Sequence, residues 1–409
     1  MTDSEVDELD TFRADVHAWL ESNYPADLRD SGIVGDPEAA WGGRAFAGNC
    51  DDPHFAWVRK LGERGWTAAT WPKEYGGGGL SAAEADVLEQ EMTRGGYCKV
   101  FLSLGIWMLG PVLLEYGTEA QKLEHIPKIV RGEIRWCQGY SEPGAGSDLA
   151  SLTTRCEDMG DHWLINGQKV WTSHANKADW CFCLVRTDTS KKHEGISFVL
   201  IDMASPGVAT RPIRLISDES PFCETFFNDV KIPKTNLIGR VNGGWEIAKR
   251  LLQFERQNVS GGFGEDVGVA GGVAGDLAQI AKAYVGVDGT GAIIDADLRS
   301  RITNNKMDFK SFYLTLAREA AESRAGSGPS ATVSIIKYAA AKFAQERAEL
   351  MIEVLGHQGL GWGGDGFTPD EIIATRGWLR SKGNSIEGGT SEVNLNVLAK
   401  RVLGLPDAK

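Results

Sequence analysis

The period of the apolar residues changes twice along this chain, and that change restricts the folds open to it. Over residues 6 to about 131 the period is helical, as at Phe12 and Val16. From about residue 133 to 242, extended segments of β-branched and aromatic residues alternate with Gly, Pro, Asp and Asn. After Gly243 the helical period returns. The sequence therefore predicts helices, then strands, then helices again.

The length of the chain supports this division. A chain of 409 residues is long enough to form two or three hydrophobic cores. We predict an α+β multidomain protein with an N-terminal α-helical domain, a middle β-barrel or sandwich domain and a C-terminal helical bundle. These domains are expected over residues 1–132, 133–242 and 243–409.

Three local signals refine the expected elements. A helix is expected to begin near Ser81, where Glu84 completes a capping box. The dipeptide Asn166-Gly167 favours a type I′ turn between two strands. The segment over residues 286–300 is rich in glycine and aspartate and predicts a loop between helices.

Composition excludes several classes of function. A formal net charge of −13 argues against a nucleic-acid partner, because phosphate backbones require a surplus of Lys and Arg. No run of about 18 apolar residues could span a membrane, and the acidic first residues lack the pattern of a secretory signal. The seven histidines never show the spacing of metal ligands, so no metal site is expected. The seven cysteines are expected to be reduced thiols, and we predict a soluble cytoplasmic protein.

Two strings in the middle domain carry the most chemical information. The first is YSEPGAGSD over residues 140–148, in which Gly144 and Gly146 would let a ligand approach the backbone. The second is VWTS over residues 170–173, in which Trp171 offers a flat apolar surface. Together they could hold a planar ring with polar edges. Alone, they are equally typical of a β-turn with a buried tryptophan.

The order of these strings along the chain resembles that of the acyl-CoA dehydrogenase family. The resemblance includes N-G-x-K-x-W-T-S and the terminal G-G-T-S-E followed by R-V-L-G-L-P, and it extends over nearly the whole chain. It implies a C-terminal four-helix bundle, FAD as the cofactor and dehydrogenation of an acyl-CoA thioester to a trans-2-enoyl-CoA. It also implies that electrons pass to an electron-transferring flavoprotein. Fatty-acid or steroid side-chain β-oxidation is the expected setting.

The resemblance also assigns roles to individual residues. The implied FAD contacts are Tyr140, Ser141, Gly146, Ser147, Trp171, Ser173, Thr390 and Glu392. The candidate substrate contacts are Ser147, Gln253 and Arg256. Independently of the family, Thr390 follows two glycines and precedes an apolar-periodic run, so it also fits a helix N-cap. Both roles are compatible, because helix N-termini favour phosphate.

The catalytic base has two candidates. Many family members carry a glutamate immediately before the Gly-Thr of the terminal motif, but here that position is Gly388 and Glu387 lies one residue earlier. A second subgroup, which includes isovaleryl-CoA and long-chain dehydrogenases, has its base on the first helix of the C-terminal bundle, where this sequence has Glu255. Glu255 follows Ile247 and Leu251 at helical spacing, so it lies beside the apolar face. Partial desolvation there would raise its pKa toward neutrality, which suits a general base. Glu255 is therefore preferred and Glu387 is the alternative.

The chain departs from the family pattern where neighbouring subunits usually share the FAD site. The R-x-x-F-G segment is missing, and Glu353 and His357 stand where Gln and Gly are usual. Actinobacterial dehydrogenases of steroid side-chain thioesters show a similar loss and form α2β2 heterotetramers. We therefore expect either a homodimer or homotetramer, or an α2β2 assembly with a related subunit. An oxidase or monooxygenase on the same fold, and a non-catalytic supporting subunit, remain as alternatives.

Overall fold

The computed structural model describes two compact units. Its described backbone covers residues 3–29, 42–44, 52–98, 103–261, 276–324 and 332–406. Within these ranges, the side chains outside the description are those of residues 3–6, 255–261, 320, 323–324 and 332–334. The first unit comprises Met1–Ile213 with Pro221–Phe254, and the second comprises Arg214–Ser220 with Glu255–Lys409.

The first unit begins with helices and ends in the first helix after the sheet. These helices are α1 (Asp3–Asn23), α2 (Ala26–Arg29), α3 (Pro53–Glu63), α4 (Ala82–Arg94), α5 (Gly110–Tyr116), α6 (Glu119–Val130) and the start of α7 (Gly244–Gly261). Helix α4 begins as the sequence predicts, because the Ser81 side chain accepts from the Glu84 amide while the Glu84 carboxylate accepts from the Ser81 amide. Thr118 and Gln121 form the same reciprocal cap at α6.

Eight strands form the sheet of the first unit. They are β1 (Trp136–Gly139), β2 (Arg155–Asp158), β3 (His162–Ser173), β4 (Trp180–Arg186), β5 (Ile196–Asp202), β6 (Val208–Ile213), β7 (Phe222–Pro233) and β8 (Leu237–Ile238). The strand order is β6-β7-β3-β2-β4-β5-β8, with β1 paired to β4. The β1–β4 and β2–β4 pairs are parallel and the other pairs are antiparallel. Helices followed by a sheet and further helices confirm the expected fold.

The turn expected at Asn166-Gly167 is wrong, because both residues lie inside the continuous strand β3. The β3–β7 register shifts between Ile165 and Gly167, so the dipeptide marks a bulge. A Cβ at Gly167 would lie 2.5 Å from the Thr154 hydroxyl oxygen. The glycine is therefore needed for the close approach of the neighbouring chain. The actual β2–β3 turn contains Gly160, whose φ is +92°.

Strand β4 is buried on both faces and lies between two parts of the core. Phe182 and Leu184 pack with residues of α5, α6 and α7. Cys181, Cys183 and Val185 point the other way and pack with residues of β3, β5 and β7. The two cysteines are free and buried, as expected for thiols that serve packing.

The second unit is mainly helical. Its elements are the remainder of α7, then α8 (Leu277–Tyr284), α9 (Ala296–Arg324), α10 (Thr332–Leu355), α11 (Pro369–Ser381) and α12 (Ser391–Val397). Helix α10 contacts α8, α9, α11 and α12, and its Leu350 and Val354 belong to the same buried cluster as Leu298 and Ile302 of α9. The loop expected over residues 286–300 is shorter than predicted, because α9 already begins at Ala296 with Asp295 as its side-chain cap.

The described residues contain neither a membrane-spanning helix nor a cluster of metal ligands. Within these residues no helix is both long and apolar enough to cross a membrane. Nor does this part of the chain bring together three or more His, Cys, Asp or Glu side chains in a group that could hold a metal ion.

Candidate functional site

The string over residues 140–148 forms a tight turn with an open outer surface. The backbone of Glu142 and Ala145 exchanges two hydrogen bonds, of 2.9 and 3.0 Å, which closes the turn. Cβ atoms built at Gly144 or Gly146 would have no heavy atom within 4 Å. Ser147 is exposed beside them. The turn therefore offers backbone and a hydroxyl group to a ligand with no side chain in the way.

Trp171 has an unusual conformation and exposure. Its φ is +60°, in the left-handed region that non-glycine residues rarely adopt. Its side chain is 54% exposed, and the edge of the Phe222 ring contacts it with centroids 6.2 Å apart. The β3–β7 register shifts between Lys169 and Thr172, so regular pairing is interrupted at Trp171. Strained backbone of this kind is concentrated at functional sites.

A buried ion pair joins the turn to the strand that carries Trp171. Lys169 has no exposed surface, and its Nζ donates to Glu142 Oε1 at 2.8 Å and to the Tyr140 carbonyl at 3.0 Å. The Val170 amide donates to the Ser141 carbonyl at 2.9 Å. These bonds place the two predicted strings side by side.

The Glu142 carboxylate is held in its ionised form. It accepts from the Thr153 and Thr154 amides at 2.7 and 2.9 Å and from the Thr153 hydroxyl at 2.9 Å. Burial raises the pKa of Glu142, but the charge of Lys169 and these hydrogen bonds outweigh it and lower the pKa to about 2. The carboxylate is therefore a permanent negative charge beneath the turn.

Sequence reasoning did not single out Glu142 or Lys169. Glu142 lies in YSEPGAGSD and Lys169 in N-G-x-K-x-W-T-S, but neither string reveals which side chains are buried. A lysine within an otherwise apolar-alternating strand was the available signal, because a buried ammonium group needs a paired acceptor.

The remaining predicted contacts of the first unit differ in accessibility. Tyr140 is buried and its ring meets Phe182 edge-on, with centroids 6.2 Å apart. Ser141 is half-buried, and so is Ser173 at the end of β3. Gln253 is exposed on α7, and its Oε1 accepts from Arg250 Nη1 at 3.1 Å. The structure thus brings the turn and β3 together and leaves Gln253 on the surface of α7.

The side chain of Glu255, the preferred base, is not among those that the structure describes. The backbone at Glu255 is part of α7, and so is the backbone at Arg256. The side chains of both residues belong to the part of the helix that the structure does not describe. Their assignment as base and substrate contact therefore stays a prediction.

Glu387, the alternative base, is engaged by a cation. Arg380 Nη2 donates to Glu387 Oε2 at 2.9 Å, and the glutamate side chain is 42% exposed. Gly388 and Gly389 follow with φ of +64° and +93°. These glycines turn the chain into α12. One carboxylate oxygen of Glu387 is therefore already occupied within the second unit.

The terminal motif ends in the helix cap expected from the sequence. Thr390 accepts from the Val393 amide at 3.2 Å, which confirms it as the N-cap of α12. Glu392 is exposed in the first turn of that helix. Asn394 Nδ2 donates back to the carbonyls of Gly389 and Thr390 at 3.1 and 3.0 Å. The cap and the preceding glycines are thus held in one conformation.

The two departures from the family pattern lie near the end of α10. Both oxygens of Glu353 accept from the Arg301 guanidinium, each at 2.7 Å. His357 is exposed and its ring lies 6.3 Å from that of Phe367. The bidentate pair fixes Glu353 against α9.

Family models match the chain in three consecutive parts. They describe the N-terminal, middle and C-terminal domains of acyl-CoA dehydrogenases and match residues 45–133, 137–230 and 242–403. The chain is also 35% identical to the acyl-CoA dehydrogenase IpdE1 of Mycolicibacterium smegmatis over 410 residues, covering 98% of each protein.

Two solved structures also match nearly the whole length of this chain. A steroid ACAD, Tcur3481-Tcur3483, is 27% identical with a TM-score of 0.73, covering 98% of both chains. The ChsE4-ChsE5 complex from Mycobacterium tuberculosis is 27% identical with a TM-score of 0.72, again covering 98% of both chains.

Proposed function

The chain belongs to the acyl-CoA dehydrogenase family, and on that basis we propose that it converts an acyl-CoA thioester into a trans-2-enoyl-CoA with FAD as cofactor. The observation that carries the proposal is Trp171, an exposed aromatic residue with a left-handed backbone beside an open glycine turn. An aromatic ring exposed in this way does not contribute to the hydrophobic core of the first unit. It suits one face of a planar cofactor.

The residues of the first unit fit the ring of FAD. The open backbone at Gly144 and Gly146 would lie against it, Trp171 would cover one face, and Ser173 would offer a hydroxyl at its edge. Bound FAD would supply the acceptor for the hydride that leaves the substrate β-carbon. In the second unit Thr390 and Glu392 are the proposed contacts of its phosphate and ribose region.

Glu255 is the proposed base that removes the α-proton of the thioester. Position 255 follows the buried Ile247 and Leu251 by eight and four residues, a spacing that a helix brings to one side. A carboxylate near apolar surroundings holds a proton more readily than one in water, which suits abstraction of a weakly acidic proton. Glu387 is the weaker candidate because Arg380 already occupies one of its oxygens.

Two matched substitutions test the assignment of the base. Glu255→Gln should lower the rate of enoyl-CoA formation by about 10²–10⁴-fold, the usual contribution of a general base, without changing FAD affinity. Glu387→Gln should change the rate only a few-fold. Product formation is measured with an artificial electron acceptor. A large loss in Glu387→Gln with an active Glu255→Gln protein would overturn the assignment.

The electron acceptor separates this function from its nearest alternatives. The proposed acceptor is an electron-transferring flavoprotein. Substrate-dependent oxygen consumption with release of peroxide would instead identify an oxidase, and insertion of oxygen into the product a monooxygenase. Absence of turnover with every acceptor would favour a supporting, non-catalytic subunit.

A second candidate is one subunit of a heteromeric dehydrogenase for steroid side-chain thioesters. The observation that favours it is Glu353, which is held by Arg301 at the position where the family pattern has glutamine. A carboxylate fixed there would be unfavourable near the negatively charged phosphates of FAD. Two similar solved proteins, the Tcur3481-Tcur3483 steroid ACAD and the ChsE4-ChsE5 complex, each carry the names of two different chains. A related subunit would then complete the flavin site.

A further inference from the structure

Lys169 and Glu142 form an ion pair whose location is unusual for charged side chains. Lys169 is completely buried and Glu142 is only 6% exposed. Lysine and glutamate are almost never fully buried unless they are paired, because removing a charge from water is strongly unfavourable. Apolar residues of similar volume often stabilise a fold at least as well. Stability alone therefore gives a weak reason for this pair.

The pair connects three separate stretches of backbone. Lys169 lies on β3 and bonds both the Glu142 carboxylate and the Tyr140 carbonyl. The Glu142 carboxylate in turn accepts from the amides of Thr153 and Thr154, which lead into β2. One buried lysine and one buried carboxylate thus fasten the turn to two neighbouring strands.

The connection lies beside an interruption in the pairing of β3 with β7. Regular pairing of β3 with β7 is interrupted between Lys169 and Thr172. Trp171, inside this interval, has a left-handed backbone, which is sterically unfavourable for a residue with a Cβ. Strained conformations persist only where the surroundings determine them. Lys169 is the last regularly paired residue before the interruption and is also tied to the turn.

We propose that the Lys169–Glu142 pair is a positioning device that sets the separation between the open turn at Gly144–Ser147 and Trp171. It acts through the backbone and does not touch the ligand. This inference rests on the proposed function, because the separation would determine how well the flavin ring fits between the two surfaces. The low pKa of Glu142 keeps its carboxylate ionised across the physiological range.

The test uses the full chain and a double substitution. Lys169→Met alone leaves the Glu142 charge buried without its cation and risks misfolding. Lys169→Met combined with Glu142→Gln removes both charges, so the fold should be retained. Asp179→Asn is the matched control. Asp179 is a buried carboxylate of the same unit that accepts from the Arg44 and Arg135 amides, each at 2.7 Å, and from Nε of the Arg44 guanidinium at 3.1 Å.

Two measurements decide the outcome. Hydrogen–deuterium exchange of the cofactor-free protein should accelerate in peptides covering residues 140–148 and 168–174 of the double variant, but not in Asp179→Asn. The FAD dissociation constant should rise about tenfold or more in the double variant and stay within about twofold in the control, at similar melting temperatures. Either unchanged exchange or unchanged FAD affinity in the double variant would overturn the proposal.

The two measurements also distinguish failure of this inference from failure of the proposed function on which it rests. If the wild-type chain, alone or with a partner subunit, never takes up FAD, the proposed function fails. The exchange comparison still decides whether the pair positions the two segments. If the wild type takes up FAD and the double variant binds it equally well, the inference fails and the function stands.

Discussion

Trp171 combines two features that a folded chain ordinarily avoids, a left-handed backbone and a large exposed ring. Glycine adopts that backbone without the steric cost that a Cβ incurs, about 1–2 kcal/mol. Trp171→Gly should therefore give a cofactor-free protein about 1 kcal/mol more stable than Trp171→Ala, although both lose the same ring. Unfolding in urea measures the difference. Both variants should bind FAD less tightly than the wild type.

Trp171→Phe is the control for the ring itself. It keeps an aromatic face and the Cβ, so we expect wild-type-like stability and the smallest loss of FAD affinity among the three variants. Equal stabilities of the glycine and alanine variants would show that the left-handed backbone stores no strain. Full FAD affinity in all three would remove Trp171 from the proposed site.

The Glu142 carboxylate predicts how stability changes in acid. Its pKa of about 2 in the folded chain lies below the ordinary value of 4.5, so folding favours the ionised form. This stabilisation is fully present above pH 4.5 and is lost as the pH falls toward 2. In that window the free energy of unfolding of the wild type should fall more steeply than that of the variant that combines Lys169→Met with Glu142→Gln. Parallel curves from urea titrations at stepped pH would contradict the low pKa.

At the scale of whole elements, local preference predicted helix starts better than strand turns. The caps at Ser81 and Thr390 were predicted correctly because a cap depends on residues three positions apart. The turn at Asn166-Gly167 was not, because the glycine is required by the close approach of Thr154, which directly precedes β2. That contact depends on tertiary structure, which a local pattern does not contain. Lys169 was overlooked for the same reason.

Helix α7 gives an element-scale prediction, because it carries Glu255 and begins at a crowded glycine. A Cβ at Gly244 would lie 2.4 Å from the Ser197 carbonyl carbon, and backbone cannot move aside as a flexible side chain can. Gly244→Ala should therefore lower the free energy of unfolding by about 1–3 kcal/mol and reduce turnover by displacing the helix. Differential scanning fluorimetry and initial rates measure the two effects.

Gly243→Ala is the matched control for the start of α7. Its nearest atom would be Cγ of the Arg240 side chain at 2.8 Å, and that side chain is largely exposed. The next atom would be the Arg240 carbonyl oxygen at 3.1 Å, so a small shift of Arg240 should accommodate the methyl group with smaller losses of stability and turnover than in Gly244→Ala. Equal losses in the two alanine variants would mean that the contact with Ser197 does not position the helix.

For the whole molecule, the sequence predicted the kinds of element and their order but only part of the site. Changes in the period of the apolar residues reveal the strands, because apolar and polar residues alternate within a strand whichever strands it pairs with. The positions of Trp171 and the turn relative to each other depend on buried hydrogen bonds that no short string reveals.

The surface near the C-terminus also bears on the state of assembly. Large apolar side chains are exposed there within a short stretch, comprising Ile386, Val393, Leu395, Val402, Leu403 and Leu405. Exposed apolar side chains that adjoin one another are typical of protein interfaces. We therefore expect Leu403→Ser to weaken subunit association. Leu123→Ser, at an exposed leucine of α6 in the first unit, should not.

Dependence on a related subunit is the most consequential prediction for the whole molecule. Purified alone, the chain should hold clearly less than one FAD per chain, because Glu353 is fixed by Arg301 where the family pattern has glutamine. Co-expression with a related subunit that retains the glutamine and glycines should raise FAD occupancy and turnover together. Flavin absorbance per protein and the mass from light scattering measure both states. Full FAD occupancy and turnover by the chain alone, at the mass of a homo-oligomer, would contradict the heteromeric assembly and leave a self-sufficient dehydrogenase.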